Sequence, residues 1–110
     1  MGGRWREEGG GLMRVPRSLS LARRMRDARL RRLHRIGRVL CGSLVEFPGH
    51  SSRYLTDKVA GSTRTLYIPL SLLREVEVWN RNYKEARQLL RELSELQRAI
   101  LRHEIKRKSR

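Results

Sequence analysis

Residues Arg53–Trp79, RYLTDKVAGSTRTLYIPLSLLREVEVW, decide how this chain folds. Arg53–Val59 and Ser62–Ile68 are rich in Thr, Tyr, Leu and Val, the residues that suit a pleated surface. With Ala60-Gly61 at the turn, Leu55 falls opposite Leu66 and Asp57 opposite Arg64. On the other face Tyr54 falls opposite Tyr67 and Thr56 opposite Thr65. Both faces are thus chemically matched, leucines and opposite charges on one and tyrosines and threonines on the other, so a single register is favoured. A two-residue type I′ turn requires positive φ at Ala60, which an L-side chain disfavours; a four-residue loop, Val59–Ser62, keeps the same pairing without it. Pro69 then launches a helix, as proline does in a first turn.

An isolated hairpin is marginal in water, so one of its faces must pack on a helix. The helix that follows, over about residues 70–106, carries Leu72, Val76, Trp79, Tyr83, Ala86, Leu90 and Leu93 at alternating spacings of 4 and 3. That is heptad spacing, which suits a partner helix or the chain's own core equally. Leu96 and Ile100 continue it with a one-step shift. At 1.5 Å per residue this helix would be about 55 Å long, more than a small hairpin covers. Tyr54 and Tyr67 are expected to lie against it, with Trp79 and Tyr83 closing the core.

Upstream, a helix is expected over about residues 18–40, capped by Ser18 or Ser20 and ended by Gly42. Leu21, Ala22, Met25, Ala28, Leu33, Ile36, Val39 and Leu40 share one side, and Arg24, Arg31, Arg35 and Arg38 the opposite one; Arg29 interrupts the apolar stripe. Residues 43–47, SLVEF, read as a first strand before the Pro48-Gly49 turn. Residues 1–17 are Gly-rich and aperiodic, and read as a disordered tail in which Met13 would serve equally as a first residue. The fold class is therefore α+β: a basic N-terminal helix, a two- or three-stranded antiparallel meander and a long amphipathic C-terminal helix, with residues 18–110 as one small domain.

Composition narrows the function. The 110 residues carry 26 Lys+Arg against 11 Asp+Glu, a net charge of +15, and 22 of the 26 cations are arginine. Over residues 1–43 twelve arginines face only Glu7, Glu8 and Asp27. Guanidinium groups bind phosphate oxygens in a two-pronged fork, so a polyanion is the indicated partner. The opposing explanation is an Arg-rich chain whose charge is compositional and solvated. On the first helix the phosphate-binding candidates are Arg23, Arg24, Arg31, Arg32, Arg35 and Arg38. Arg53, Lys58 and Arg64 form a second group on the hairpin, beside Thr63, where a two-stranded ribbon can enter a major groove. Few Asn or Gln side chains accompany the arginines, so reading of specific bases is not indicated.

No P-loop, nucleophile elbow or paired-carboxylate motif is present. Cys41 lies one to two turns from His34 on the expected helix, but a thiol–imidazole pair needs a shaped pocket and an orienting group. His34, His50, His103 and Cys41 are too scattered for a structural zinc site. The reading is non-enzymatic and calls for no cofactor and no metal. One cysteine permits no intrachain disulfide and suits a reducing, cytoplasmic setting. No apolar run is long enough for a membrane span.

At Gly42–Glu46 (GSLVE), His50, Tyr54–Thr56 (YLT), Gly61–Pro69 (GSTRTLYIP) and Trp79, Asn82 and Tyr83, the chain resembles a prokaryotic family of short proteins known as a domain of unknown function. The resemblance covers about residues 36–102. It implies the same meander and long helix, and an association with mobile elements. The cysteine-containing stretch of that family is absent between Val45 and His50, and Ser62 stands where the family commonly has lysine.

The leading expectation is a nucleic-acid-associated module, DNA or RNA, binding through arginine–phosphate contacts as an accessory of a mobile element. The alternative is an interaction module, a homodimer or a complex with a helical partner, zipped through the long helix. A third reading places the basic first helix on an anionic membrane surface.

Overall fold

The computed structural model describes residues 13–49 and 51–109. Its elements are α1 (Leu19–Arg35), β1 (Ser43–Glu46), β2 (Arg53–Val59), β3 (Ser62–Ile68), a single 3-10 turn (Leu70–Leu72) and α2 (Leu73–Lys108). The chain is α+β, with a three-stranded antiparallel sheet in the order β1-β2-β3. It divides into two compact units. One holds the described residues up to Arg35 together with those from Arg87 onward; the other is Ile36–Ala86.

In the second unit the register of β2 and β3 is the expected one: Tyr54 faces Tyr67, Leu55 faces Leu66, Thr56 faces Thr65 and Asp57 faces Arg64. Val59 pairs with Ser62, so the turn has only two central residues, and both Ala60 (φ 52) and Gly61 (φ 83) take positive φ. The tight primed turn forms despite Ala60, because its twist matches that of the strands. The relaxed four-residue loop does not occur.

β1 adds to β2 with Leu44 opposite Leu55 and Glu46 opposite Arg53. One sheet face thus carries Leu44, Leu55 and Ile68, and these pack with Leu40, Leu73, Val76 and Trp79. The expectation that Tyr54 and Tyr67 cover the helix is therefore wrong. The aliphatic row faces α2, and the tyrosine row lies on the opposite face, where phenolic hydroxyls stay hydrated. Leu66 shares the aliphatic side but sits on an edge strand and remains 59% exposed.

The first helix is shorter than expected. It starts at the Ser18 cap, whose Oγ accepts from Leu21 N (3.2 Å), and it ends at Arg35 rather than near Leu40. Residues 36–42 run without helix and lie along α2. The Asn80 side-chain amide donates to Leu40 O (3.0 Å) and Gly42 O (2.8 Å), Asn82 donates to Arg38 O (2.9 Å), and Leu40 N donates to Trp79 O (3.1 Å). These bonds satisfy carbonyls that a continued helix would have left without partners at its end. Gly42 permits the crossing into β1: its φ is 135, and a Cβ there would stand 2.8 Å from Thr56 O.

In the first unit Ala22, Leu96 and Ile100 form a buried cluster, flanked by Met13, Val15, Leu19 and Met25. Residues 13–17 therefore belong to the folded part, and only positions 1–12 of the expected tail lie outside the described residues. Arg29 does not break the apolar side of α1 but joins it. Its Nε donates to Glu92 Oε1 (2.7 Å), while Gln88 donates to Glu92 Oε2 (2.8 Å). On α2 the buried positions are Val76, Asn80, Leu89, Leu96, Ala99 and Ile100. Of the expected stripe, Val76 is buried, Trp79, Tyr83, Ala86 and Leu93 are half-buried, and Leu72 and Leu90 are exposed. Leu73 and Leu89 replace the last two, one position away in each case.

Two outcomes follow for stability. Asn80→Ala leaves two carbonyls without their donor and lowers unfolding free energy by about 2 kcal/mol, read as a lower urea midpoint. An unchanged midpoint would mean that packing alone holds residues 36–42. Ala60→Asn relieves the positive-φ strain and raises stability by about 0.5–1 kcal/mol in the same assay.

Candidate nucleic-acid interface

α1 carries seven arginines against one carboxylate, Asp27, and the structure divides those arginines into two groups. Arg23 reaches Glu104 (3.7 Å), Arg26 pairs with Asp27 (2.9 Å) and Arg29 with Glu92 (2.7 Å). Arg24, Arg31 and Arg35 are exposed and have no ion-pair partner among the described residues. They stand at i, i+7 and i+11, so they form one row along a single side of the helix. Arg32 is exposed but engaged in an interaction of its own. Arg38 leaves this row, because the helix has ended before it; its side chain is exposed on the segment that Asn82 holds by the Arg38 carbonyl.

A basic cluster in the same unit was not visible to sequence reasoning. Residues Val15, Pro16 and Arg17 lie against α2 and form a shallow cleft with Ala99, Arg102, His103 and Lys106. Arg17, Arg102 and Lys106 are exposed, and the His103 ring is 3.1 Å from the Arg17 carbonyl oxygen. No carboxylate lines this cleft among the described residues. The i,i+4 spacing of Arg102 and Lys106 was the signal available; what was missing was the docking of residues 13–17.

The hairpin cations are more constrained. Arg64 makes a two-pronged contact with Asp57 across the strands, at 3.0 and 2.7 Å. Arg53 lies 3.8 Å from Glu46 across β1 and β2. Lys58 alone of the three is exposed without such a partner among the described residues. The fork of Arg64 is occupied by a carboxylate, which weakens the case for a ribbon inserted into a groove.

Cys41 is exposed and lies outside α1, so it does not share a helix with His34. No group of three or more His, Cys, Asp or Glu among the described residues is placed to hold a metal ion. His50 lies outside the described residues. No helix among the described residues is long and apolar enough to cross a membrane.

The Asp57–Arg64 pair gives a pH signature. Hydrogen bonding from Arg64 holds the Asp57 carboxyl below its ordinary range, and the same bond raises Arg64 further. A depressed carboxylate contributes stability that is present above its ordinary value and is lost as pH falls through the folded-state value. Urea midpoints taken from about pH 5 down to about pH 2 should therefore fall more steeply for the wild type than for Asp57→Asn. Parallel curves would show that the pair does not contribute to the fold.

Comparison of the chain with protein-family models, with curated proteins and with solved structures returns no match.

Proposed function

We propose that this protein binds nucleic acid without catalysing a reaction, holding the backbone through arginine–phosphate contacts. One observation carries the reading: the row Arg24, Arg31, Arg35 faces solvent without a carboxylate partner among the described residues, while Arg23, Arg26 and Arg29 of the same helix are paired. Like charges one turn apart, as at Arg31 and Arg35, repel one another, a cost that contacts to phosphate would offset. The cleft of Arg17, Arg102 and Lys106 in the same unit supports the reading. Such binding belongs in the cytoplasm, with nucleic acid at hand, and the resemblance noted above suggests an accessory of mobile elements.

A second reading, association through a helix, has its own observation. Leu101 and Ile105 sit one turn apart on α2, 52% and 58% exposed, in a mostly apolar depression with Glu104, Lys108 and Ser109. Leu90, 57% exposed, lies eleven residues before Leu101, on the same side of the helix. The original heptad stripe no longer supports this reading, since Val76 packs on the sheet and Leu96 and Ile100 pack with α1.

Electrophoretic shift assays over a salt series separate the two. Nucleic-acid binding weakens steeply as salt rises, and replacing Arg24, Arg31 and Arg35 with Gln lowers the slope of log affinity against log salt by about one unit per arginine. A triple variant that binds with wild-type affinity and slope would remove α1 from the interface. Sedimentation at several concentrations reads the helical alternative directly, through mass that rises with concentration and falls in Leu101→Lys.

A further inference from the structure

The sheet face turned away from α2 is the least expected surface of the molecule. By register it carries Ser43 and Val45 of β1, Tyr54, Thr56 and Lys58 of β2, and Thr63, Thr65 and Tyr67 of β3. Phe47, just after β1, joins it: its ring lies 4.9 Å from that of Tyr54, tilted by 50°, and Tyr54 lies 5.7 Å edge-on from Tyr67. Three of the chain's six aromatic residues therefore form one row across the sheet. The outer two are open, Phe47 42% and Tyr67 54% exposed, with Tyr54 half-buried between them.

The charge on this face is one-sided. Both carboxylates of the strands, Glu46 and Asp57, lie on the other face, near Arg53 and Arg64. What remains of the strands on this face, among the described residues, is Lys58, Val45, four hydroxyl side chains of Ser and Thr, and the aromatic row. An exposed aromatic row has a hydration cost that a folded monomer normally avoids by burying such rings. Flat rings beside hydroxyls and a cation, with acids excluded, match the demands of unpaired bases: a π-face to stack on, hydrogen-bond partners for base edges, and no repulsion of phosphate.

We infer that the Phe47–Tyr54–Tyr67 face is a stacking platform for a single strand of nucleic acid, which it takes through its unpaired bases. The inference rests on the proposed nucleic-acid reading and sharpens it from polyanion to single strand. A duplex hides its base faces in its own stack and gains only from the arginines.

The test uses the full chain with a short labelled oligothymidylate and the same strand annealed to its complement, at one fixed salt concentration. Tyr67→Leu keeps an apolar side chain in the strand but removes the ring, Tyr67→Phe keeps the ring, and Phe47→Leu treats the other end of the row. The expected result is single-strand affinity weakened about 5- to 100-fold by Tyr67→Leu and by Phe47→Leu, retained by Tyr67→Phe, and duplex affinity unchanged throughout. Ultraviolet crosslinking followed by peptide mapping should place the single strand on the peptides that hold Phe47 and Tyr67. If both Leu variants, with wild-type urea midpoints, bind the single strand as tightly as the wild type, the platform is refuted while the arginine reading stands. If the wild type binds neither strand nor duplex at low salt, the nucleic-acid reading fails and this inference falls with it. If the Leu variants leave binding intact but abolish a concentration-dependent rise in mass, the face belongs to a second copy of the chain instead.

Discussion

The Asn80 side-chain amide is the contact on which the second unit depends. It is 5% exposed and gives both of its hydrogens to backbone carbonyls some forty residues earlier in the chain. A buried amide satisfied in this way is stable only if residues 40–42 stay out of a helix, since a helical backbone would direct those carbonyls along its own axis. The same two bonds therefore do several things together. They place β1 beside β2, seat Leu40 and Leu44 against Val76 and Trp79, and turn the aliphatic row of the sheet inward. The identity of the outward face, with its aromatic row, is a consequence of that choice of side.

In the first unit the corresponding constraint is electrostatic. Arg29 and Glu92 are mostly shielded from solvent, with side chains 25% and 18% exposed, and Gln88 occupies the remaining carboxylate oxygen. A pair held this way costs desolvation, and its value lies more in fixing one arrangement of α1 against the later turns of α2 than in net stability. Once Arg29 is fixed inward, helical geometry sends Arg24, Arg31 and Arg35 to the other side. The solvent-facing row of Arg24, Arg31 and Arg35 is thus positioned by an arginine that takes no part in it.

The sequence revealed most where the interactions are local. Matching residues across the Ala60-Gly61 turn make the hairpin register legible, and Ser18 and Ser20 bracket the helix start, which falls at the Ser18 cap. Misreadings came where distant residues decide. Gly42 points to a helix end near Leu40, whereas Asn80 and Asn82, far along the chain, compete for the carbonyls of Arg38, Leu40 and Gly42 and win. The hairpin has two plausible apolar faces, and period-2 patterning cannot choose between a leucine row and a tyrosine row; β1, through Leu44, breaks the tie. The pairing of Arg23 and Arg29 depends on Glu104 and Glu92, which no reading of α1 alone can see. Met13 and Val15 looked like tail because a few apolar residues in an aperiodic run carry no period at all.

β3 stands at the edge of the sheet, and that position has a consequence for how the protein lives at high concentration. Alternate residues of this seven-residue strand turn their backbone donors and acceptors away from β2, a ready template for another chain's strand. The usual safeguards are thin here: the strand's one charge, Arg64, is matched by Asp57, and Leu66 and Tyr67 stand open on opposite faces. What protection there is comes from Ser62, Thr63 and Thr65, which favour the extended backbone while offering neighbours little apolar grip. Apolar side chains at those three positions would take that protection away from the edge.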